Sequence, residues 1–406
     1  MGEPDWVRHA IWWHGYPLGM TGAYPADPAP GPHEHRLLRL LPWLDHAVRL
    51  GASGIALGPV FASTSHGYDT TDHFRVDPRL GDDRDFDTLV TEARQRGLRV
   101  LLDGVFNHVG PEFGHPGWLR PGHTFEGHGG LLTLDHANPE VRDHVTAVLT
   151  HWLDRGADAW RLDAAYATPP DFWADVLPRV RAHHPEAWFV AEVIHGDYAG
   201  FAAQTTVDSV TQYELWKAVW SSLNDGNPHE LAWSLTRHNG FLDTFVPATF
   251  VGNHDVTRIA AKLTNPHHLP HALVVLFTTA GTPAVYAGDE LGLRAVKEDR
   301  HGGDDAIRPE FPATPEDPFP GTDPAVLRLH QDLIGLRRRH PWLHTARTRI
   351  VETTHEHLTY ESTSGDDTLV VTLNYGPGTI EAAGTEAVAG EPTTHLGPHG
   401  WRIARR

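Results

Sequence analysis

Cysteine is absent from this 406-residue chain, which rules out a disulfide framework and thiol chemistry. Lysine is nearly absent: Lys217, Lys262 and Lys297 are the whole complement beside 30 arginines, a bias that with 31 histidines reflects base composition rather than function. No apolar run reaches the ~20 residues needed to span a membrane. The stretch from Met1 to Trp6 is polar, without the apolar core of a signal peptide. These absences predict a soluble, cytoplasmic protein with no membrane partner. A formal net charge of −19 argues against nucleic acid as a partner. No segment is biased enough in composition to read as a disordered linker, and nothing in the composition bears on oligomeric state. Hydrophobic residues make up 40% of the chain and tryptophans number 14, enough for one large core and a small second domain.

Strand-like and helix-like patterns alternate eight times. Apolar runs at about 9–16, 53–61, 98–106, 157–163, 187–193, 207–213, 244–251 and 282–287 predict strands. Helical spacing marks 34–50, 83–96, 138–155, 170–183, a helix from about 214, 267–279 and 324–339. Gly51 and Gly97 follow two of these helices as C-terminal caps, and Asn138-Pro139 opens another. Residues 17–32 and 62–81 read as loops, and the Gly-, Pro- and His-rich 109–134 reads as an excursion after the third strand. Connections this long exclude hairpins and favour parallel strands with crossover helices. Beyond residue 345 the pattern changes to short β runs. The expectation is α/β: a (β/α)8 TIM barrel over 1–340 with a short insertion at 109–134, then a small all-β domain over 341–406.

The most informative stretch is Trp160-Arg161-Leu162-Asp163-Ala164-Ala165. Ionisable groups on so apolar a strand are costly unless paired or functional. Arg161 and Asp163 lie at i and i+2, so their side chains leave the strand on one side. That spacing suits an arginine that keeps the aspartate ionised, or equally a buried structural ion pair. Three more runs end in the same way: Val100–His108 with Asp103, Asn107 and His108; Trp188–Val193 with Glu192; and Thr249–Asp255 with Asn253, His254 and Asp255. Polar groups at the C-terminal ends of several buried strands mark the active-site face of a (β/α)8 barrel.

In order along the chain, Gly67-Tyr68-Asp69-Thr70-Thr71-Asp72, Asp103…Asn107-His108, Leu134-Asp135-His136-Ala137-Asn138-Pro139, Arg161-Leu162-Asp163-Ala164, Glu192 and Asn253-His254-Asp255 resemble the motifs of the α-amylase superfamily, glycoside hydrolase family 13. The resemblance spans about residues 9–340 and is nearest in character to α-glucosidase-like members. It implies a retaining α-glycosidase with Asp163 as nucleophile, Glu192 as acid and base, and Asp255 as stabiliser of the oxocarbenium-like sugar. It further implies that Arg161 holds Asp163 ionised, that His108 and His254 bind hydroxyls of the reacting glucose, and that Tyr68 stacks on its ring. His66, just before that tyrosine, is a candidate to line the glucose site. Neighbouring strands about 4.8 Å apart suit the roughly 5–5.5 Å between the carboxyls of a retaining glycosidase. Glu192 has no cationic neighbour in sequence, a setting that would raise its pKa. In the α-glucosidase branch an Asp and an Arg placed like Asp69 and Arg308 pair and close the pocket beyond one sugar. That implies exo-action on maltose or malto-oligosaccharides.

The chain also departs from the family. The excursion is short where starch-degrading members carry a larger, calcium-binding domain, and Asn107 stands at a position that often ligates the ion. So little chain cannot readily supply six to eight oxygens, so no metal or other cofactor is expected. Tyr166-Ala167 stands where many endo-amylases carry a Lys-His pair. The N-terminal β domain of the cyclodextrin-degrading and neopullulanase branch is not expected. His115, His123 and His128 are irregularly spaced and read as surface or lid residues rather than a zinc site. Three other readings stay open: transfer to a sugar or isomerisation through the same covalent intermediate, an endo-acting α-amylase, and a non-catalytic sugar-binding barrel.

Overall fold

The structure, a computed structural model, describes residues 2–25, 34–300 and 302–406. Its central sheet has eight parallel strands: β1 (Trp12–Gly15), β2 (Gly54–Leu57), β3 (Arg99–Val105), β4 (Ala159–Asp163), β5 (Trp188–Ala191), β6 (Ser209–Val210), β7 (Ala248–Phe250) and β8 (Thr282–Tyr286). They follow one another in the order β6-β5-β4-β3-β2-β1-β8-β7, and a parallel bridge between Thr211 and Ala248 joins the two ends into a barrel.

Strand periodicity explains how this barrel carries a site. Alternate residues point inward, and each inward row changes character along its length. On β4 the row is Ala159, Arg161, Asp163; on β5 it is Trp188, Val190 and then Glu192; on β3 it runs from Leu101 to Asp103; on β1 from Trp12 to His14. The N-terminal part of each row is apolar and forms an inner core of Val7, Trp12, Leu101, Ala159, Trp188 and Val190. The outward residues Val100, Leu102, Trp160, Leu162 and Phe189 join the larger core under the helices. Trp12 and Trp188 stack with centroids 6.1 Å apart. The short 3-10 helix Asp5–His9 closes the barrel floor with Val7 and with Trp6, which meets Trp12 edge-on. Gly54 faces this layer because a Cβ there would lie 2.4 Å from the Trp12 ring.

The helix expected over 138–155 spans Pro139–Asp154, with the Asn138 side chain accepting from the Glu140 N–H. Most barrel strands are shorter than their apolar runs, β6 having only two residues. The stretch read as a loop at 62–81 holds a strand, Thr70–Val76, paired antiparallel with Phe61–Ser63. The loop expected at 17–32 contains a short helix, Pro17–Met20, and its residues 26–32 lie outside the described residues. Two helices, Tyr198–Thr205 and Pro228–Phe241, lacked a sequence signal. The excursion carries a small sheet ordered His108–Val109, Leu132–Leu134, Leu119–Thr124.

After the helix Pro324–Arg339 comes an antiparallel five-stranded sheet ordered Arg347–Thr353, His357–Ser364, Asp367–Asn374, Trp401–Arg405, Ala387–Gly390. It grips the barrel through Ser362, whose hydroxyl donates to the Thr278 carbonyl at 2.6 Å, and through Asn239, which donates to the Thr348 carbonyl at 2.6 Å. Among the described residues no helix is long and apolar enough to cross a membrane.

Gly54→Ala should destabilise the protein by about 1–3 kcal/mol, the usual cost of overpacking a filled core. Gly114→Ala, where an added Cβ meets nothing within 4 Å, is the control. Denaturant melts of the two variants check this.

Candidate active site

The β3–β4 register sets Asp103 opposite Arg161, and the β4–β5 register sets Leu162 opposite Ala191. Asp163 and Glu192 therefore end adjacent strands side by side, and the Glu192 N–H donates to the Leu162 carbonyl at 2.9 Å. Arg161 lies at the centre. Its Nη1 donates to both Asp103 oxygens at 2.7 Å and to Asp163 Oδ1 at 3.1 Å, its Nη2 lies 2.6 Å from Glu192 Oε1, and Asp255 Oδ2 is 3.8 Å away. Arg161, Asp103, Asp163 and Glu192 are all buried.

This corrects two expectations. Glu192 does have a cationic neighbour, supplied across the sheet rather than along the chain. Arg161 also does not set the direction in which Asp163 is shifted. Burial first, and the adjacent Glu192 carboxylate second, push the Asp163 carboxyl well above its usual range, outweighing Arg161. Burial likewise raises Asp103 against the pull of Arg161 and His254. One guanidinium does not offset the burial of this many carboxyls.

Glu192 is held on its other sides by the Ala164 N–H, which donates to Oε2 at 3.0 Å, and by the Tyr213 hydroxyl, which donates to Oε1 at 3.1 Å. Asn253 in turn donates to the Tyr213 oxygen at 2.9 Å. Ala164 adopts φ 45° and ψ 35°, a left-handed conformation uncommon for a residue with a Cβ. That turn aims its N–H at Glu192 immediately after Asp163, backbone strain of the kind concentrated at functional sites.

Asp255 comes from the loop after β7. Burial acts to raise its carboxyl, but His254, Arg308 and Arg161 together hold it well below the usual carboxylate range. His254 Nε2 lies 3.0 Å from Asp255 Oδ2, and Arg308 Nη2 donates to Asp255 Oδ1 at 3.0 Å. The His254 ring is sandwiched between Tyr68 and Tyr16, with centroid distances of 5.4 and 6.1 Å. The Tyr68 hydroxyl contacts His254 Nε2 and donates to Asp103 Oδ2 at 3.0 Å. His108 packs on Phe125 at 4.6 Å from the excursion, with its Nδ1 3.2 Å from Asn107 Nδ2. Burial lowers His108 to about 4, which keeps it neutral, and its buried Nε2 has no partner. His66 serves its own loop: its Nδ1 accepts from the Tyr68 N–H and its carbonyl from the Tyr16 hydroxyl.

The expected Asp69–Arg308 pair does not form. Asp69 accepts from the Ser65 N–H at 3.0 Å and the Ser65 hydroxyl at 2.6 Å, which turns its carboxylate into its own loop. Arg308 is taken by Asp255 and by Asp304, 3.1 Å away. Sequence reasoning quoted Asp103 and Asn253 within motifs but gave them no role, and it passed over His14 and Tyr213. An acid inside an apolar run, one register row from Arg161, was the available signal for Asp103. His14 sits behind His254, ring nitrogens 3.2 Å apart, on a strand otherwise read as core. Among the described residues no group of three or more His, Asp or Glu side chains is placed to hold a metal ion.

The α-amylase catalytic-domain model matches residues 41–117 and 123–347. A cyclomaltodextrinase of Geobacillus thermopakistaniensis (strain MAS1) is 28% identical over 91% of this chain and 69% of its own length. Neopullulanase 2 of Thermoactinomyces vulgaris is 27% identical over 83% of this chain and 64% of its own. The chain thus spans about two thirds of the length of these relatives, which are named for cyclic dextrins and pullulan rather than as α-glucosidases. Among solved structures, the cyclic α-maltosyl-(1→6)-maltose hydrolase of Arthrobacter globiformis superposes with a TM-score of 0.84 at 26% identity, covering 99% of both chains.

Raising the Asp163 carboxyl has a stability cost. A carboxyl whose pKa is higher folded than unfolded favours folding below its unfolded pKa, and that contribution is lost as pH rises through the folded pKa. Asp163→Asn should therefore stabilise the protein at pH 7, by roughly 1–3 kcal/mol as for a buried group relieved of poor compensation, and the gain should shrink in acid. Denaturant melts at pH 7 and pH 4 check both the sign and the trend.

Proposed function

Because the chain belongs to the α-amylase family of glycoside hydrolases, we propose that it hydrolyses short α-linked gluco-oligosaccharides, linear or cyclic, by double displacement with retention. The observation that supports this most is the pair of carboxyls, Asp163 and Glu192, side by side at the ends of adjacent strands under one guanidinium. Adjacent strands lie about 4.8 Å apart, in keeping with a retaining rather than an inverting pair. Asp163 attacks the anomeric carbon while Glu192 gives its proton to the departing glycosidic oxygen. The resulting glycosyl ester on Asp163 is opened by water that Glu192 deprotonates, and Glu192 regains its proton. Asp255, kept charged by His254 and Arg308, stabilises the positive charge that develops on the sugar. His108, neutral and with Nε2 unpartnered, is available to a sugar hydroxyl.

In the structure Arg161 Nη2 lies 2.6 Å from Glu192 Oε1, while burial and the neighbouring Glu192 carboxyl raise Asp163. In this reading, substrate displaces Arg161 from Glu192 as the glycosidic oxygen arrives, and Asp163 attacks as the carboxylate while Glu192 carries the proton.

Exo-action that releases single glucose units rested on a wall made by Asp69 and Arg308. With those residues bonded elsewhere, a chain or a ring can extend past the cleaved bond, in keeping with the substrates named in the relatives' titles. Transfer to a second sugar shares the same ester and differs only in the acceptor. Absence of cysteine suits a cytoplasmic setting.

Proton NMR of fresh hydrolysate should show the α-anomer first, and Asp163→Asn and Glu192→Gln should each lose about 10⁴–10⁶-fold in kcat. Initial β-anomer, or a tenth of the activity left in either variant, overturns the mechanism. A time course on β-cyclodextrin beside maltoheptaose separates the specificities. Ring opening is expected; an inert ring, with glucose as the sole early product from the linear chain, would restore the exo-acting α-glucosidase.

A further inference from the structure

Asp255 and Arg308 stand on different loops, after β7 and after β8, and their bond is short only if both loops keep one relative position. Arg258 fixes that position. It is 1% exposed and lies three residues beyond Asp255. Its Nη1 donates to Asp289 Oδ1 at 2.7 Å and to the Ala287 carbonyl at 3.0 Å, both just past the end of β8. Its Nη2 donates to the Ile307 carbonyl at 2.9 Å, the residue directly before Arg308. The Tyr286 hydroxyl donates to the same carbonyl at 2.9 Å, and the Arg258 guanidinium lies 4.4 Å from the Tyr286 ring centroid. A Cβ on Gly252, which leads into Asn253-His254-Asp255, would meet Asp289 Oδ2 at 2.2 Å, so the Asp289 carboxylate also packs on the β7 loop. From this anchored Ile307, Arg308 reaches back with Nε to the His254 carbonyl at 2.9 Å and with Nη2 to Asp255.

We propose that Arg258, paired with Asp289, is a positioning residue for the reaction: it clamps the loops after β7 and β8 together and so delivers Arg308 to Asp255. This rests on the reading of Asp255 as a substrate-stabilising carboxylate. A buried arginine with one acid partner is otherwise an ordinary structural pair, but here its second arm is spent on the backbone of the residue preceding Arg308. The fork is needed because, from its place on the β7 loop, one nitrogen holds the start of the segment after β8 and the other holds Ile307, which a lysine cannot do.

The titratable groups that face Asp255 are His254 on its own loop, Arg308 after β8, Tyr286 at the end of β8, Arg161 and Asp163 on β4, Tyr213 after β6, Tyr68 after β2 and, behind His254, His14 on β1. Of these, Arg308 is the cation whose preceding residue Arg258 holds. Losing it removes one of the cations that hold the Asp255 carboxyl low, so the acid limb of the rate profile moves to higher pH.

The test is a double-mutant cycle on the full chain, reading kcat/KM against pH on maltotriose. Arg308→Gln and Arg258→Gln should each lower kcat/KM by about 10–10²-fold, the range for one lost charged hydrogen bond, and shift the acid limb upward. The double variant should be within about threefold of Arg308→Gln alone, because residues acting through one interaction are not additive. Arg258→Lys should recover little. Losses that multiply, or an Arg258→Gln variant whose acid limb stays at the wild-type position, overturn the proposal. If Arg258→Gln does not fold, Tyr286→Phe takes its place in the same cycle, with a smaller loss and the same non-additivity expected. Asp255→Asn measured alongside tests the underlying reading: full activity there would refute the role of Asp255 itself, whatever the cycle shows.

Discussion

One guanidinium holds this site together. Arg161 touches Asp103, Asp163 and Glu192 within hydrogen-bonding distance and Asp255 just beyond it, so groups from four strands and loops are tied to a single charge. Burial makes the arrangement expensive: an unpaired carboxylate in a water-poor barrel would protonate or force the fold apart. Arg161 suits the task because its planar fork serves several acceptors in fixed directions. It cannot satisfy all of them as anions, and that shortfall is useful, since a reaction that needs one acid and one base among like groups needs one proton too few to neutralise them all.

Around this centre the carboxylates are distinguished by their surroundings rather than by residue type. Asp255 is held low by His254, Arg308 and Arg161; Asp163 is pushed the other way by burial and by the neighbouring Glu192 carboxyl. The backbone contributes too. The left-handed turn at Ala164 points an N–H at Glu192 where a regular strand would have carried it away.

The architecture was legible in the sequence because its signals are strong and local. Eight apolar runs alternating with helical spacing, and caps such as Asn138-Pro139, gave the barrel and most of its helices. Element ends were overextended, since an apolar run such as 244–251 continues past the three residues that pair as β7. The helix Pro228–Phe241 escaped because its buried face is broken by polar residues, Ser234 and His238, the latter bonded to Gln212 and the Ala280 carbonyl. In the site, Asp163, Glu192 and Asp255 could be picked out because each ends a buried run, and the structure gathers all three around Arg161. The partnerships could not be. Arg161 was read along its own strand, whereas its strongest bonds cross to β3 and β5. Asp69 and Arg308 were matched by their places in the loops, whereas Ser65, four residues before Asp69, captures it. Distances along the chain do not reveal which of several nearby partners wins; only cross-strand register and loop conformation decide that.

The plugged floor of the barrel has a kinetic consequence. Val7, Trp12, Leu101, Trp188 and their neighbours fill the barrel beneath the site with apolar side chains, which leaves the mouth at the C-terminal ends of the strands as the approach to Asp163 and Glu192. A departing sugar and an incoming water therefore share one doorway. Water cannot replace the leaving group from behind; it has to wait until the first product moves aside. If the reaction runs through the ester on Asp163 proposed above, how long a sugar lingers at that opening bears on whether the ester is opened by water or by another sugar.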